Sequence, residues 1–353
     1  MTFLPRPAQL VPPALALLVS VAGAGLAVAL GTVLPWMIGP LLAMALASMA
    51  GLPVRRPALG LPSGQLIIGC ALGLFFTRQA LVQIVALAPY LLAACLFAFV
   101  LGGLCAVLLK RLSGCDAKTA FFASLPGGAA EMSNLAAHVG GRADWVAAAH
   151  ALRIVLVVLT VPPLLAHSGW HGNELWLPAH ANVNYGPLLL AMLPAVLGGA
   201  LLHQLKVPNS WVIGPLLVTG ALTGLDLTDS AMPRWASNLA QLLMGCALGS
   251  RFDSAFLRAA PRFMGAVAVS VFASIGLAAL FALALSQVSG ISLPTAILAT
   301  APGGVAEMSI TAKVLQFGVP VVTAFHITRM AFLVMSAGPL FNWQARHMSV
   351  ASK

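Results

Sequence analysis

Apolar runs near twenty residues long recur from one end of the 353-residue chain to the other. A helix of about 20 apolar residues crosses a hydrocarbon core of about 30 Å. Only 7% of the residues are charged and 60% are hydrophobic, whereas soluble domains carry roughly a quarter charged residues. Such a chain lacks the polar groups to cover a water-facing surface, so lipid must be its solvent. No segment is polar and long enough to form a separate soluble domain. The expected fold class is therefore an all-α polytopic membrane protein.

The net charge of +10 would suggest nucleic acid in a soluble protein. Here the basic residues sit in short gaps between apolar runs, where the positive-inside rule places them. No basic, aromatic-interleaved patch stands outside those runs, so direct nucleic-acid binding is not expected. The five cysteines show neither metal spacing nor a paired framework. Most lie in apolar runs, where Cys behaves as a small hydrophobe.

The runs are organised as a tandem repeat. Trp36-Met37-Ile38-Gly39-Pro40-Leu41-Leu42 returns as Trp211-Val212-Ile213-Gly214-Pro215-Leu216-Leu217. The block from Gln65 to Gly73 returns from Gln241 to Gly249. Pro126-Gly127-Gly128-Ala129-Ala130-Glu131-Met132-Ser133 returns as Pro302-Gly303-Gly304-Val305-Ala306-Glu307-Met308-Ser309. The offset is 175 residues in the first block and 176 in the later ones, through His150/His326 and Arg153/Arg329. Two membrane repeats are expected, 1–176 and 177–353. Apolar runs fall near 11–32, 34–52, 62–77, 80–109 and 143–166, then near 185–205, 209–225, 235–250, 259–285 and 319–343. Broken segments lie near 119–139 and 291–316.

Loop charge sets the expected topology. Arg55, Arg56, Lys110, Arg111, Lys118 and Arg142 flank one set of loops in the first repeat. The connection 167–184 holds no Lys or Arg, only Glu174 and the histidines 167, 171 and 180. In the second repeat the bias switches. Asp226, Asp229 and Arg234 replace Arg55/Arg56, and Arg251, Arg258 and Arg262 face the place of Arg78. An odd number of crossings per repeat keeps these positives inside. About ten transmembrane helices plus two broken or re-entrant segments follow, with both termini cytoplasmic. Two odd-numbered repeats in tandem are inverted, as in many secondary transporters.

The candidate site sits at the breaks. Pro126-Gly127-Gly128 and Pro302-Gly303-Gly304 interrupt helices at membrane depth, because Pro lacks an amide donor and Gly-Gly weakens a helix further. Such a break is tolerated where backbone lines a wet cavity or is buried in protein. Glu131 and Glu307 fall in the first turn of the following half-helices, followed by Ser133 and Ser309. The helix dipole favours a carboxylate there while desolvation opposes it. Cap, ion pair and proton or cation carrier are all open roles. His150/Arg153 and His326/Arg329 each share one helix face at a spacing of three. Either these groups form one interior network with the glutamates, or two Glu–Arg salt bridges hold the bundle together. The Trp-x-Ile-Gly-Pro and Gln-centred blocks read as close-packing segments. His167, His171 and His180 offer at most an unsupported metal site in an outer loop.

With these blocks in place, the sequence resembles the AbrB family of duplicated bacterial inner-membrane proteins. The resemblance rests on the paired Trp-x-Ile-Gly-Pro, Gly-Cys-Ala-Leu-Gly and Pro-Gly-Gly-x-Ala-Glu-Met-Ser blocks and covers nearly the whole chain. It implies kinship with the wider cation:proton antiporter/anion transporter group, whose members have inverted repeats and crossed, broken helices. Members are called regulators of gene expression or ammonia monooxygenases, and the family supplies no substrate residues. The expected function is secondary transport of a small molecule or ion across the bacterial inner membrane, coupled to protons. The alternative is a membrane regulator acting indirectly on gene expression. A monooxygenase comes last, because no metal-ligand cluster of the oxygenase kind is visible. No catalytic residue, metal or cofactor is expected, and the chain is not expected to be an enzyme. Its expected partners are the lipid bilayer and the transported solute, and a homodimer is compatible with this architecture.

Overall fold

The computed structural model describes residues 7–170, 182–228, 230–252 and 260–351. Glu174, His171, His180, Asp229 and Arg258 lie outside the described residues. All regular structure among the described residues is helical.

The first half supplies α1 (Pro7–Ala29), α2 (Pro35–Met49), α3 (Gly60–Gly73), α4 (Arg78–Ala86), α5 (Ala88–Ser113), α6 (Ala117–Ser124), α7 (Ala129–His138) and α8 (Ala143–His167). The second supplies α9 (Tyr185–Gln204), α10 (Ser210–Gly224), α11 (Arg234–Gly249), α12 (Pro261–Ser289), α13 (Leu293–Thr300), α14 (Val305–Val314) and α15 (Val319–Ala351). The run expected as one span over 80–109 is two helices, α4 and α5, and α3 meets α4 at a bend of 89°.

Six helices, α1, α5, α8, α9, α12 and α15, contain stretches long and apolar enough to cross a membrane. This is a multi-pass membrane protein. Its outer faces agree: Leu92, Leu96, Val100 and Leu104 form an exposed stripe at helical spacing on α5. Leu189, Leu193, Leu197 and Leu201 do the same on α9. Stripes of that size are favourable against lipid and costly against water. Helices α2, α3, α10 and α11 have 14 to 16 residues. At 1.5 Å per residue they reach about 21–24 Å, short of a full hydrocarbon core.

Backbone geometry repeats along the chain. Left-handed residues occur at Gly31 and Lys206, Leu34 and Asn209, Gly51 and Asp226, Gly114 and Gly290, and Gly140 and Gln316. Each pair is separated by the same 175 or 176 residues as the sequence blocks. The chain turns in the same way at matching positions even where a side chain makes that conformation unfavourable.

The helices gather into two compact units, and each unit draws on both halves of the sequence. The first comprises 1–85, 158–261 and 306–320; the second comprises 86–157, 262–305 and 321–353.

In the first unit, glycines set the packing. A Cβ on Gly39 would strike the Gly23 carbonyl, and one on Gly214 would lie against Gly198, so α1 meets α2, and α9 meets α10, backbone to backbone. The halves then exchange partners. A Cβ on Gly69 of α3 would strike the Val212 carbonyl of α10 and lie 3.1 Å from Pro215 Cβ. A Cβ on Gly245 of α11 would strike the Met37 carbonyl of α2 and lie 3.1 Å from Pro40 Cβ. The Gly-Pro and Gly-Cys-Ala-Leu-Gly blocks are thus two sides of one close contact, used twice. Close approach of this kind lets helices associate through van der Waals contact where no hydrophobic drive operates. Where α3 crosses α11, Gly64 faces its own counterpart: a Cβ there would lie 2.9 Å from the Ala240 carbonyl. Gly60 faces Leu243, so α3 and α11 run antiparallel.

In the second unit, α5 and α12 also run antiparallel. Tyr90 Oη near the start of α5 donates to the Val288 carbonyl near the end of α12 at 2.7 Å. Arg262 Nε at the start of α12 donates to the Leu112 carbonyl at the end of α5 at 3.1 Å. Between these ends Phe97 stacks on Phe281 with ring centroids 4.0 Å apart.

The short helix α6 begins at Asp116, whose carboxylate accepts from the Thr119 amide at 2.8 Å and the Thr119 hydroxyl at 2.6 Å. Burial opposes ionisation of Asp116, but these hydrogen bonds outweigh it and hold its carboxyl below the ordinary range. A depressed folded pKa gives stability at neutral pH that is lost as pH falls through the carboxylate range. Asp116→Ala should lower stability by about 1 kcal/mol at pH 7, as loss of an N-cap does. Thermal melts of both proteins should converge as the pH is lowered towards that of the protonated carboxyl.

Candidate functional site

The two breaks are built alike. Proline at 126 removes the amide that would have closed the helical hydrogen bond to the Phe122 carbonyl, four residues earlier. His150 of α8 takes its place, with Nε2 3.0 Å from the Phe122 oxygen. Arg153, one turn along, donates through Nη1 to the Leu125 carbonyl at 2.9 Å and through Nη2 to His150 Nδ1 at 2.8 Å. The second break repeats this. Pro302 leaves the Leu298 carbonyl without its helical donor, and His326 Nε2 lies 2.8 Å from that oxygen. Arg329 donates to the Ala301 carbonyl at 2.6 Å, the Gly303 carbonyl at 2.9 Å and His326 Nδ1 at 3.0 Å. Every matching residue is 176 positions apart.

This geometry fixes the imidazoles. A guanidinium only donates, so each Nδ1 accepts, and each Nε2 carries the proton given to the carbonyl. His150 and His326 are therefore neutral Nε2–H tautomers that splint a broken helix. An unsatisfied carbonyl in lipid costs several kcal/mol, which is what each His–Arg pair prevents.

The arginines do not take glutamates as hydrogen-bond partners, contrary to the salt-bridged arrangement weighed above. Their partners are carbonyls and imidazoles, because the breaks expose acceptors closer at hand than any carboxylate. Among the described residues an ion pair at salt-bridge distance joins Arg142 and Asp144 at 2.8 Å. The two glutamates are unlike each other. Glu131 is half-buried, and its carboxylate folds back over Gly128, where a Cβ would collide with it. Glu307 is buried in the first compact unit, where the charge that reaches it is that of Arg251. Ser133 donates back to the Ala129 carbonyl at 2.6 Å within its own helix. Ser309 is fully buried.

Pro126, Pro302 and Arg153 come together at one cavity in the second unit, walled by α5, α6, α8 and α12. It offers about 20 Å³ of water-sized space. Ser124, just before the first break, also lines it. The sequence reading missed Ser124 and the carbonyls of residues 122 and 298. The latter were legible in principle, since a mid-helix proline orphans the oxygen four residues before it. Among the described residues no group of His, Cys, Asp and Glu has the arrangement to hold a metal ion. All five cysteines are free thiols.

Comparison with known proteins places this fold in a family. A family model described as "Transition state regulatory protein AbrB" matches residues 36–345. The chain is 29% identical over 309 residues to "Putative regulator AbrB" of Escherichia coli (strain K12), covering 86% of this chain and 87% of that one. It is 28% identical over 355 residues to "Uncharacterized protein YhjN" of Bacillus subtilis (strain 168), covering 92% and 90%. The paired Gly-Pro contacts and the two splinted breaks lie inside the 36–345 that the family model matches, and the chain belongs to the AbrB family.

Proposed function

We propose that this protein is a secondary transporter of the bacterial inner membrane, driven by protons and carrying a small solute. The observation that carries the proposal is the convergence of Pro126 and Pro302, one from each broken helix, on a single cavity beside the buried Arg153. Non-helical backbone at membrane depth is tolerated where it lines a cavity, and transporter sites are built from such discontinuous helices.

The antiparallel pairs support an inverted duplication with repeats 1–176 and 177–353. Helices α5 and α12 end at equivalent residues, 113 and 289, and α3 and α11 end at 73 and 249. Equivalent helices that run in opposite directions are what an axis in the membrane plane produces. With six long helices and the shorter pairs α2/α10 and α3/α11 lodged among them, ten membrane-embedded helices and two re-entrant segments fit this reading. Loop charge then puts both termini in the cytoplasm. The chain carries no covalent chemistry in this account and is not an enzyme. The regulator name of the Escherichia coli relative fits a protein whose transport alters the level of a signalling solute.

Glu307, buried, and Glu131, in the first turn of the matching half-helix, are the proton carriers in this reading. The test is flux in liposomes with an internal pH-sensitive dye, against a panel of alkali cations, ammonium and hydroxy-carboxylates. Glu131→Gln with Glu307→Gln should lower pH-dependent flux by ten-fold or more. Undiminished pH-dependent flux in the double variant would remove the proton role.

A further inference from the structure

The Arg153 cavity holds two polar atoms with nothing to bond. Arg153 Nε and Ser124 Oγ are both buried and without a hydrogen-bond partner, and both residues line the same space. Arg153 is 7% exposed. Its partners, a carbonyl and an imidazole, are neutral, so its charge has no counter-charge among them. The matching arginine in the second half is more fully engaged, because Arg329 Nη2 also reaches the Gly303 carbonyl. Position 300, equivalent to Ser124, is also committed: Thr300 Oγ1 donates to the Ala296 carbonyl at 2.9 Å and lies 3.2 Å from that of Ala278. Arg329 Nε is likewise unpartnered; what sets the first splint apart is that its spare N–H lies at a cavity, beside an uncommitted hydroxyl.

We propose that this cavity binds a small monocarboxylate with a short apolar chain, and this assignment rests on the transporter reading above. The Nε edge of a guanidinium is a donor fork that matches a carboxylate. The Ser124 hydroxyl supplies a further donor. An anion there neutralises a charge that is costly to hold unpaired in the bilayer. The other walls, including Leu101, Leu109, Val267 and Val271, suit an apolar tail and repel a second charge. The limited space favours a short tail.

The test is calorimetric titration and thermal shift on the purified full-length protein, with sodium butyrate as the probe. Sodium chloride serves as the plain-anion arm and butylammonium chloride as the arm with the same tail and opposite charge. Butyrate should bind saturably and raise the melting temperature, and the other two should not. Affinity should fall about four-fold for each methylene removed towards acetate. Arg153→Lys should weaken butyrate by ten-fold or more, and Ser124→Ala by about three- to ten-fold. Ser124 has no partner to lose, so Ser124→Ala should melt as wild type without ligand and decides the matter if Arg153→Lys fails to fold. Equal butyrate affinity in wild type and Ser124→Ala, or binding shared equally by chloride, overturns the assignment. Butyrate binding without flux of any solute would leave this site standing and remove the transporter reading. Proton-coupled flux of another solute, with no butyrate binding, would do the reverse.

Discussion

Arg329→Met is expected to lower the stability of the purified protein by about 3–5 kcal/mol, because several buried acceptors lose their donor together. Two effects oppose each other at this site. Removing the guanidinium relieves a desolvation cost of several kcal/mol. It also strips donors from the Ala301 and Gly303 carbonyls and from His326 Nδ1. Hydrogen bonds to a charged group contribute roughly 1.5–3 kcal/mol each, so three of them outweigh the relief. Ala301 is only 2% exposed, and water does not replace the lost donor. Arg329→Lys should recover part of the loss, because an ammonium lacks the planar fork that serves several acceptors together. His326→Ala combined with Arg329→Met should cost less than the sum of the two, since they splint one break. Melting curves in detergent and the yield recovered from membranes read these effects. A methionine variant as stable as wild type would mean that the arginine is kept for a ligand and does not brace the helix.

Gly245→Val should destabilise by about 3 kcal/mol or more, at the upper end of what overpacking costs. The obstacle is backbone: the new Cβ falls on the Met37 carbonyl, with Pro40 Cβ 3.1 Å away. A side chain in the way can rotate, whereas a carbonyl within a helix moves only with the helix. Helices α11 and α2 must therefore separate, exposing buried Met37, Leu41 and Cys246. Gly69→Val should behave in the same way through the Val212 carbonyl and Pro215. The two variants test the reciprocal contact twice, and similar losses of melting temperature are expected from each. Unchanged stability in both would remove the close-packing role given to these glycines.

Much of this was legible in the sequence. The apolar runs place the ends of most helices within a few residues, and the Pro-Gly-Gly triplets locate both breaks. The Gly-Pro and Gly-Cys-Ala-Leu-Gly blocks read as packing segments, though not as partners of each other. That pairing joins residues such as 69 and 212, and spacing along the chain carries no sign of it. Spacing leaves two arrangements for the ionisable groups, one interior network or two Glu–Arg bridges, since unlike charges attract at membrane depth. The structure satisfies each arginine with carbonyls that proline leaves open, a backbone demand that side-chain chemistry alone does not reveal. The split of 80–109 into α4 and α5 is marked by Pro89, the second residue of α5, a position where proline starts a helix, but the run is apolar on both sides and reads as continuous.

The most direct test of the account is the side of the membrane reached by two equivalent helix ends. Arg111 in the last turn of α5 and Gln287 in the last turn of α12 are both exposed and lie 176 positions apart. Arg111→Cys and Gln287→Cys, each made in a protein lacking its five native cysteines, would be treated with a membrane-impermeant maleimide in intact cells and again after permeabilisation. The inverted arrangement predicts labelling of Gln287→Cys in intact cells and of Arg111→Cys only after permeabilisation. Labelling of both from the same side would contradict the inverted halves and the convergence of the two broken helices that depends on them.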